Sequence, residues 1–106
     1  MRILSICCFT VTMLLFAGSF ASQAQTSGEA LYVAKCQMCH GSKGAAETPV
    51  AKNLKIKPAG DAEMKKLSAA QMTESVTNGK NRMPSFKGKL SDEQIKEVVA
   101  YFRSLK

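Results

Sequence analysis

Two cysteines and a histidine lie within five consecutive residues, Cys36-Gln37-Met38-Cys39-His40. Cysteines in a C-x-x-C-H run lie about one helical turn apart, so both thiols can add to the vinyl groups of one haem. The histidine that follows is then placed to ligate the iron. Because a haem is a redox centre, the motif indicates electron transfer or chemistry at iron.

The other uses of such a motif fit this chain less well. A structural zinc site requires four Cys or His ligands, and beyond residue 24 the sequence offers three. A thioredoxin-like pair requires a strand–helix–strand context, which the sequence lacks. A plain Cys36–Cys39 disulfide would leave His40 without a role. We therefore predict one haem c, attached covalently through Cys36 and Cys39.

The second axial ligand decides whether the iron is closed or open to other molecules. His40 is the only histidine of the chain, so a second histidine from the same chain is excluded. Met83 is the predicted sixth ligand, because Pro84 disfavours a helical backbone there and the residue lies far enough along the chain to reach the opposite haem face. Met72 is assigned to the core by its place on a helix, and Met64 is the alternative ligand.

Three helices are predicted to position these residues. The first covers approximately residues 27–39 and carries the cysteine motif, with Thr26 and Glu29 as a candidate capping box. The second covers 67–77 and the third 92–105. Each of these two begins with a serine-led capping box and a matching hydrophobic staple, so their starts are well marked in the sequence.

Two loops complete the predicted fold. Residues 41–66 are punctuated by glycine and proline, with one helical turn expected near 61–66, and residues 80–89 contain Met83. An irregular loop as long as the first is uncommon in a compact domain unless it wraps around a bound group. No strand pattern competes. The predicted class is all-α, with three main helices plus loops wrapped around one covalently attached haem.

The N-terminal segment has the layout of a secretory signal peptide. One arginine precedes an apolar run over residues 3–20, and the small residues Ser22 and Ala24 follow at the spacing of a cleavage site. We predict cleavage of residues 1–24, which leaves 25–106 as one monohaem domain with no stable membrane span, located in the periplasm. An uncleaved membrane anchor is the alternative, since the run is near the lower length limit for spanning a bilayer.

The chain is strongly basic, with a net charge of +7. Positive charge steers association with acidic partners, and a secreted haem protein has little occasion to meet nucleic acid. Several lysines flank the predicted site, namely Lys35, Lys43, Lys80, Lys87 and Lys89. We expect them to guide the protein onto the acidic surface of a redox partner.

Over essentially the whole predicted mature chain, residues 25–106, the sequence resembles the small class I c-type cytochromes of bacteria. Besides the cysteine motif, the resemblance rests on Gly28 and Tyr32 in the first helix, Val98 and Tyr101 in the last, and the segment Asn81-Arg82-Met83-Pro84-Ser85-Phe86. It implies a cytochrome c-like fold in which the first helix crosses the last at these positions.

The same resemblance implies the roles of the site residues. Cys36 and Cys39 would form thioethers, His40 would be the proximal ligand and Met83 the distal ligand. A proline carbonyl would accept a hydrogen bond from Nδ1 of His40, and Pro49 or, alternatively, Pro58 would supply it.

The resulting functional prediction is a monomeric one-electron carrier in a respiratory or photosynthetic-type electron transport chain, without enzymatic activity. Two alternatives stay open. The protein could be a tightly bound electron-transfer subunit of a larger oxidoreductase. With a labile Met83 it could instead be a haem enzyme or sensor.

Overall fold

The computed structural model describes residues 27–106. The predicted signal peptide and Thr26 lie outside these residues. The described helices are α1 (Gly28–Lys35), α2 (Gln37–His40), α3 (Pro49–Leu54), α4 (Ala62–Lys66), α5 (Ala69–Asn78) and α6 (Asp92–Ser104), with a 3-10 turn at Ser42–Gly44. The described part of the chain has isolated β-bridges but no strand, which confirms the all-α class. No helix within it is long and apolar enough to cross a membrane.

The cysteine motif is carried by two short helices rather than one. The first helix begins at the N-cap Ser27, whose Oγ accepts a hydrogen bond from the Ala30 amide at 3.2 Å. It ends at Lys35, because Cys36 has φ −118° and ψ −34°, well away from the helical φ near −63°. The prediction of one continuous helix over 27–39 was therefore wrong at Cys36, where the chain bends before α2.

The predicted loop 41–66 contains a helix that sequence reasoning missed. Thr48 caps α3 by accepting a hydrogen bond from the Ala51 amide at 3.0 Å, and Pro49 occupies the first helical position, where its fixed φ favours a helix start. Lys55 ends the helix in the left-handed region, with φ +54°. A helix of six residues is too short to show a periodic pattern. The turn expected near 61–66 is confirmed as α4.

Both predicted capping boxes are present in α5 and α6. Ser68 and Gln71 satisfy each other's backbone amides at the start of α5, and Ser91 and Gln94 do the same for α6. These paired bonds satisfy donors that a helix start otherwise leaves exposed. Helices α5 and α6 therefore begin where the local sequence predicts.

The core lies where α6 packs against α1 on one side and against α5 on the other. Leu31, Tyr32 and Val98 form the first buried cluster, and Met72, Ile95 and Val99 form the second. Phe102 packs against both clusters. The assignment of Met72 to the core is confirmed by its burial.

The crossing of α1 and α6 depends on a small residue. A Cβ atom on Gly28 would lie 2.8 Å from the carbonyl carbon of Glu97 and 3.1 Å from Cβ of Tyr101. No other residue type would allow the two backbones to approach so closely. The Tyr32 and Tyr101 rings also meet, with centroids 5.4 Å apart. The predicted crossing of the first and last helices is confirmed.

Candidate haem site

A cleft of about 430 Å³ opens beside α5 and α6, and an adjoining cavity of about 330 Å³ continues it. Cys36, His40 and Met83 line both parts, and Cys39 lines the second. The structure thus brings the four site residues predicted from sequence to one cleft, although Met83 is far from the others in the chain. Met64 lines the first part only.

The cleft walls are apolar and its mouth is basic. Apolar side chains from four elements form the wall, namely Tyr32, Met64, Leu67, Met72, Val76, Val98, Val99 and Phe102. Lys55, Lys57 and Lys80 lie along the rim, and no carboxylate lines either part of the cleft. An apolar ring system that carries two propionates matches both features, so the residues present fit a haem.

His40 is held in place by two aromatic residues. Phe102 meets its imidazole edge-on, with centroids 5.3 Å apart and planes at 70°. The Tyr32 hydroxyl donates a buried 2.6 Å hydrogen bond to the carbonyl of Gly41, the residue that follows His40. Burial lowers the pKa of His40 below its usual value. The imidazole is therefore neutral at physiological pH, the form that ligates a metal.

The predicted support of His40 by a proline carbonyl was wrong. Its Nδ1 is buried and has no hydrogen-bond partner among residues 27–106. Pro49 begins α3, and Thr48 before it makes the contact with the motif, its Oγ1 donating weakly to the Cys39 carbonyl at 3.5 Å. Pro58 lies in a turn whose carbonyl accepts from the Asp61 amide. Neither proline carbonyl therefore accepts a hydrogen bond from this nitrogen in the described part of the chain.

Tyr32 has a role that sequence reasoning did not assign. The crossing with α6 was expected, but the hydrogen bond from its hydroxyl to Gly41 was not. Burial is the main cause that raises the pKa of Tyr32 to about 12, so the hydroxyl stays protonated and remains a donor. No local signal reveals this contact, because a bond between residues nine apart depends on how the chain turns after α2.

The two cysteines of the motif, Cys36 and Cys39, are free thiols in the structure. Burial, followed by the nearby charge of Cys39, raises the pKa of Cys36 to about 11. A catalytic dithiol pair requires the opposite, a cysteine whose pKa is lowered so that the thiolate can attack. The environment of Cys36 therefore disfavours a thioredoxin-like reaction.

The loop that carries Met83 is closed by backbone hydrogen bonds. The Lys80 amide donates to the Met83 carbonyl at 3.1 Å, and the Met83 amide donates to the Lys80 carbonyl at 2.9 Å. Asn81 takes a left-handed conformation, φ +54°, to complete this tight turn. The turn fixes the backbone of Met83 where its side chain contributes to the cleft lining.

Comparison with known proteins agrees with this geometry. Residues 23–102 match the family model described as cytochrome C oxidase, cbb3-type, subunit III. The chain is 39% identical over 95 residues to cytochrome c6 of Nostoc sp., covering 82% of this chain and 79% of that protein. It is 44% identical over 75 residues to cytochrome c6 of Leptolyngbya boryana, covering 71% and 85%.

A solved structure agrees as well. The KustC0563 c-type cytochrome superposes with a TM-score of 0.69 at 33% sequence identity, covering 76% of this chain and 98% of that chain. In this chain the cleft is lined by all three defining residues of the C-x-x-C-H motif, Cys36, Cys39 and His40. The chain therefore belongs to the small monohaem class I c-type cytochromes, carries one covalently attached haem c, and is an electron carrier.

Proposed function

We propose that His40 and Met83 are the two axial ligands of the haem, which Cys36 and Cys39 hold through thioethers. The observation that carries this proposal is that both parts of the cleft are lined by His40 and Met83 together. Pro84 restrains the backbone of Met83, and the paired bonds with Lys80 fix it further. A neutral imidazole and a thioether are a ligand pair that favours reduced iron and raises the potential.

The surroundings suit electron transfer rather than catalysis. When bound, the haem supplies an iron that gains or loses one electron. The apolar side chains of α5 and α6 would shield the haem from water, and no Asp or Glu side chain lines the described cleft as a candidate acid or base. In this proposal both axial positions are filled by the chain, and the role of Tyr32 and Phe102 is to fix the position of His40. We therefore propose that the protein is not an enzyme.

The partner is proposed to be a redox protein with an acidic docking surface. Lys35, Lys80 and Arg82 line the second part of the cleft, beside Met38, whose side chain is 77% exposed. An exposed apolar residue within a basic surround favours brief, salt-sensitive association with a complementary acidic surface. The net charge is +7 for the full chain and +6 once residues 1–24, with Arg2, are removed, and together with this surface it supports a monomeric carrier that docks through the cleft edge.

Export completes the proposal. The chain from residue 25 to 106 would act in the periplasm after cleavage of residues 1–24, as the apolar N-terminal run and its small-residue boundary indicate. Attachment of haem to free thiols also requires a compartment with a maturation system for c-type haem. Mass spectrometry of the exported protein tests the cleavage, because an intact chain retained in the membrane would contradict it.

A second candidate function has a specific observation in its favour. The matched family model is described as a subunit of a terminal oxidase, so the domain could act as a fixed electron-transfer subunit. The haem site would be the same in both cases. Salt-sensitive, transient association supports the carrier, whereas stable co-purification with an oxidoreductase supports the subunit.

Substitution of methionine tests the axial ligand. We expect Met83→Ala to abolish the near-infrared band that a methionine sulfur gives with ferric iron, because the thioether is removed. The matched control is Met64→Ala, which removes the other methionine assigned as a candidate ligand and should keep the band. Absorption spectra of oxidised and reduced holoprotein provide the measurement. A band that survives in Met83→Ala, or disappears in Met64→Ala, would refute the assignment.

A further inference from the structure

The loop that carries Met83 is folded back onto the end of α5. The carbonyls of the last helical turn lack partners within a helix, and here the returning chain supplies them. The Phe86 amide donates to the Val76 carbonyl at 3.0 Å, and the Lys87 amide donates to the Thr77 carbonyl at 3.1 Å. The hydroxyl of Ser85 donates to the same Thr77 carbonyl at 2.6 Å. The loop is thereby anchored to the end of α5 by the three residues 85–87, which lie shortly after Met83.

Gly79 lies where the loop closes over its own start. Its φ is +77°, and a Cβ atom there would lie 2.8 Å from the Met83 oxygen, 2.9 Å from the Ser85 nitrogen and 3.2 Å from the Pro84 carbonyl carbon. All three atoms are backbone atoms of the Met83–Pro84–Ser85 run, so no flexible side chain can yield. For an ordinary contact, the Met83 oxygen would have to move from 2.8 Å to at least 3.4 Å.

We propose that Gly79 is a positioning residue for the distal ligand: the absence of a side chain at this position lets the Met83 backbone approach α5 closely enough to hold the thioether on the iron. This inference rests on the proposed role of Met83 as the sixth ligand. A side chain at residue 79 would push the Met83–Pro84–Ser85 run away from α5. The sulfur would move with its backbone, and the axial position would open to small molecules.

The chain contains a matched control for backbone strain. Gly88 has the same φ of +77°, but a Cβ atom there would meet nothing within 4 Å. Alanine at either position is forced into the left-handed region, which L-residues disfavour. Only alanine at residue 79 also collides with the Met83 loop. A difference between Gly79→Ala and Gly88→Ala therefore reports the collision alone.

The experiment measures whether the Met83 sulfur is bound to the iron, and it does not depend on electron-transfer activity. Haem-loaded Gly79→Ala and Gly88→Ala are compared for the near-infrared methionine band and for the affinity of the ferric protein for imidazole, which competes with the thioether. We expect Gly79→Ala to weaken the band and to bind imidazole about tenfold more tightly than Gly88→Ala, a factor equal to 1.4 kcal/mol. Equal bands and equal affinities in the two variants would overturn the proposal.

A double variant separates positioning from general loosening. In the Met83→Ala background no thioether remains to be displaced, so adding Gly79→Ala should leave the imidazole affinity unchanged. If the added substitution still tightens imidazole binding tenfold, Gly79 acts on access to the cleft and the proposal fails. If the near-infrared band survives in the Met83→Ala single variant, the axial assignment of Met83 is refuted instead. Failure of the Gly79 proposal and failure of the Met83 assignment are therefore distinguishable.

A milder variant covers the case in which Gly79→Ala does not yield folded holoprotein. Ser85→Ala removes the hydrogen bond to the Thr77 carbonyl and loosens the same backbone run without introducing a collision. Tighter imidazole binding in Ser85→Ala supports the proposal. An affinity unchanged from that of the wild-type protein overturns it, because the anchoring of the run would then not matter to the ligand.

Discussion

The two sides of the cleft are held by different means. On the proximal side, His40 lies on a short helix, and side chains fix it: the Phe102 ring packs edge-on against the imidazole and the Tyr32 hydroxyl binds the next residue. On the distal side, Met83 lies in a loop that backbone hydrogen bonds anchor to α5 and to Lys80. The proximal side should therefore respond to changes in packing, whereas the distal side should respond to changes in the backbone.

This contrast also affects what each side can do. A ligand fixed by buried side chains moves only when the core is disturbed, because close-packed interiors yield little. A ligand fixed by a loop can be displaced at a smaller cost, since only a few backbone bonds need to open. With Met83 as the proposed sixth ligand, we expect exchange of ligands at the iron to begin on its side of the cleft.

The largest effect is expected from Phe102→Ala. Phe102 packs against both core clusters and against His40, so its truncation should lower the free energy of unfolding by about 3 kcal/mol. The matched control is Phe86→Ala on the distal side, which keeps the backbone hydrogen bonds of Phe86 to Val76 and Leu90 and should cost less. Denaturant unfolding of both holoproteins gives the comparison, and equal losses would contradict the division between the two sides.

A smaller effect is expected from Tyr32→Phe. Removing the hydroxyl leaves the Gly41 carbonyl without its buried donor, at a cost of about 1–2 kcal/mol at neutral pH. The pH dependence should change as well. The folded pKa of about 12 lies above the unfolded value near 10, so the stabilisation is complete below pH 10 and is lost as the pH rises toward 12.

The loss over this alkaline window should reach roughly 2–3 kcal/mol in the wild-type protein and should be absent from Tyr32→Phe. Denaturant unfolding at several pH values between 9 and about 12 measures it. Tyr101→Phe, which keeps the aromatic contact with Tyr32, is the control and should retain the wild-type slope. An alkaline slope that persists in Tyr32→Phe would show that another group causes it.

The smallest effect, on the pH dependence of the reduction potential, is expected from a lysine at the mouth of the cleft. Lys55 lines both parts of the cleft, so Lys55→Gln removes a positive charge that would stabilise an ionised haem propionate. We expect it to move the pH dependence of the reduction potential upward by less than about one pH unit. Lys43 has a left-handed backbone conformation like that of Lys55, but it does not line the cleft. Lys43→Gln is therefore the control. Equal shifts in both variants would indicate a general effect of charge.

Much of the fold was predictable because its signals are local. The capping boxes of Ser68 and Ser91 involve residues three apart, and they placed the starts of α5 and α6 correctly. The resemblance to class I c-type cytochromes likewise implied that Gly28 and Tyr32 would meet α6, and they do. The break at Cys36 and the helix α3 were missed, because a single bend and a six-residue helix leave no periodic trace in the sequence.

The sequence by itself determined the chemistry of attachment and the class of fold. Residues within one helical turn define the haem motif, and local hydrogen bonds define the helices, so both can be inferred from spacing alone. Only the tertiary structure decided that Tyr32 holds the residue after His40, that the His40 Nδ1 has no proline partner, and that Gly79 lies against the Met83 run. These contacts depend on how loops close over helices, and the direction in which a loop closes is fixed by the packing of the whole domain.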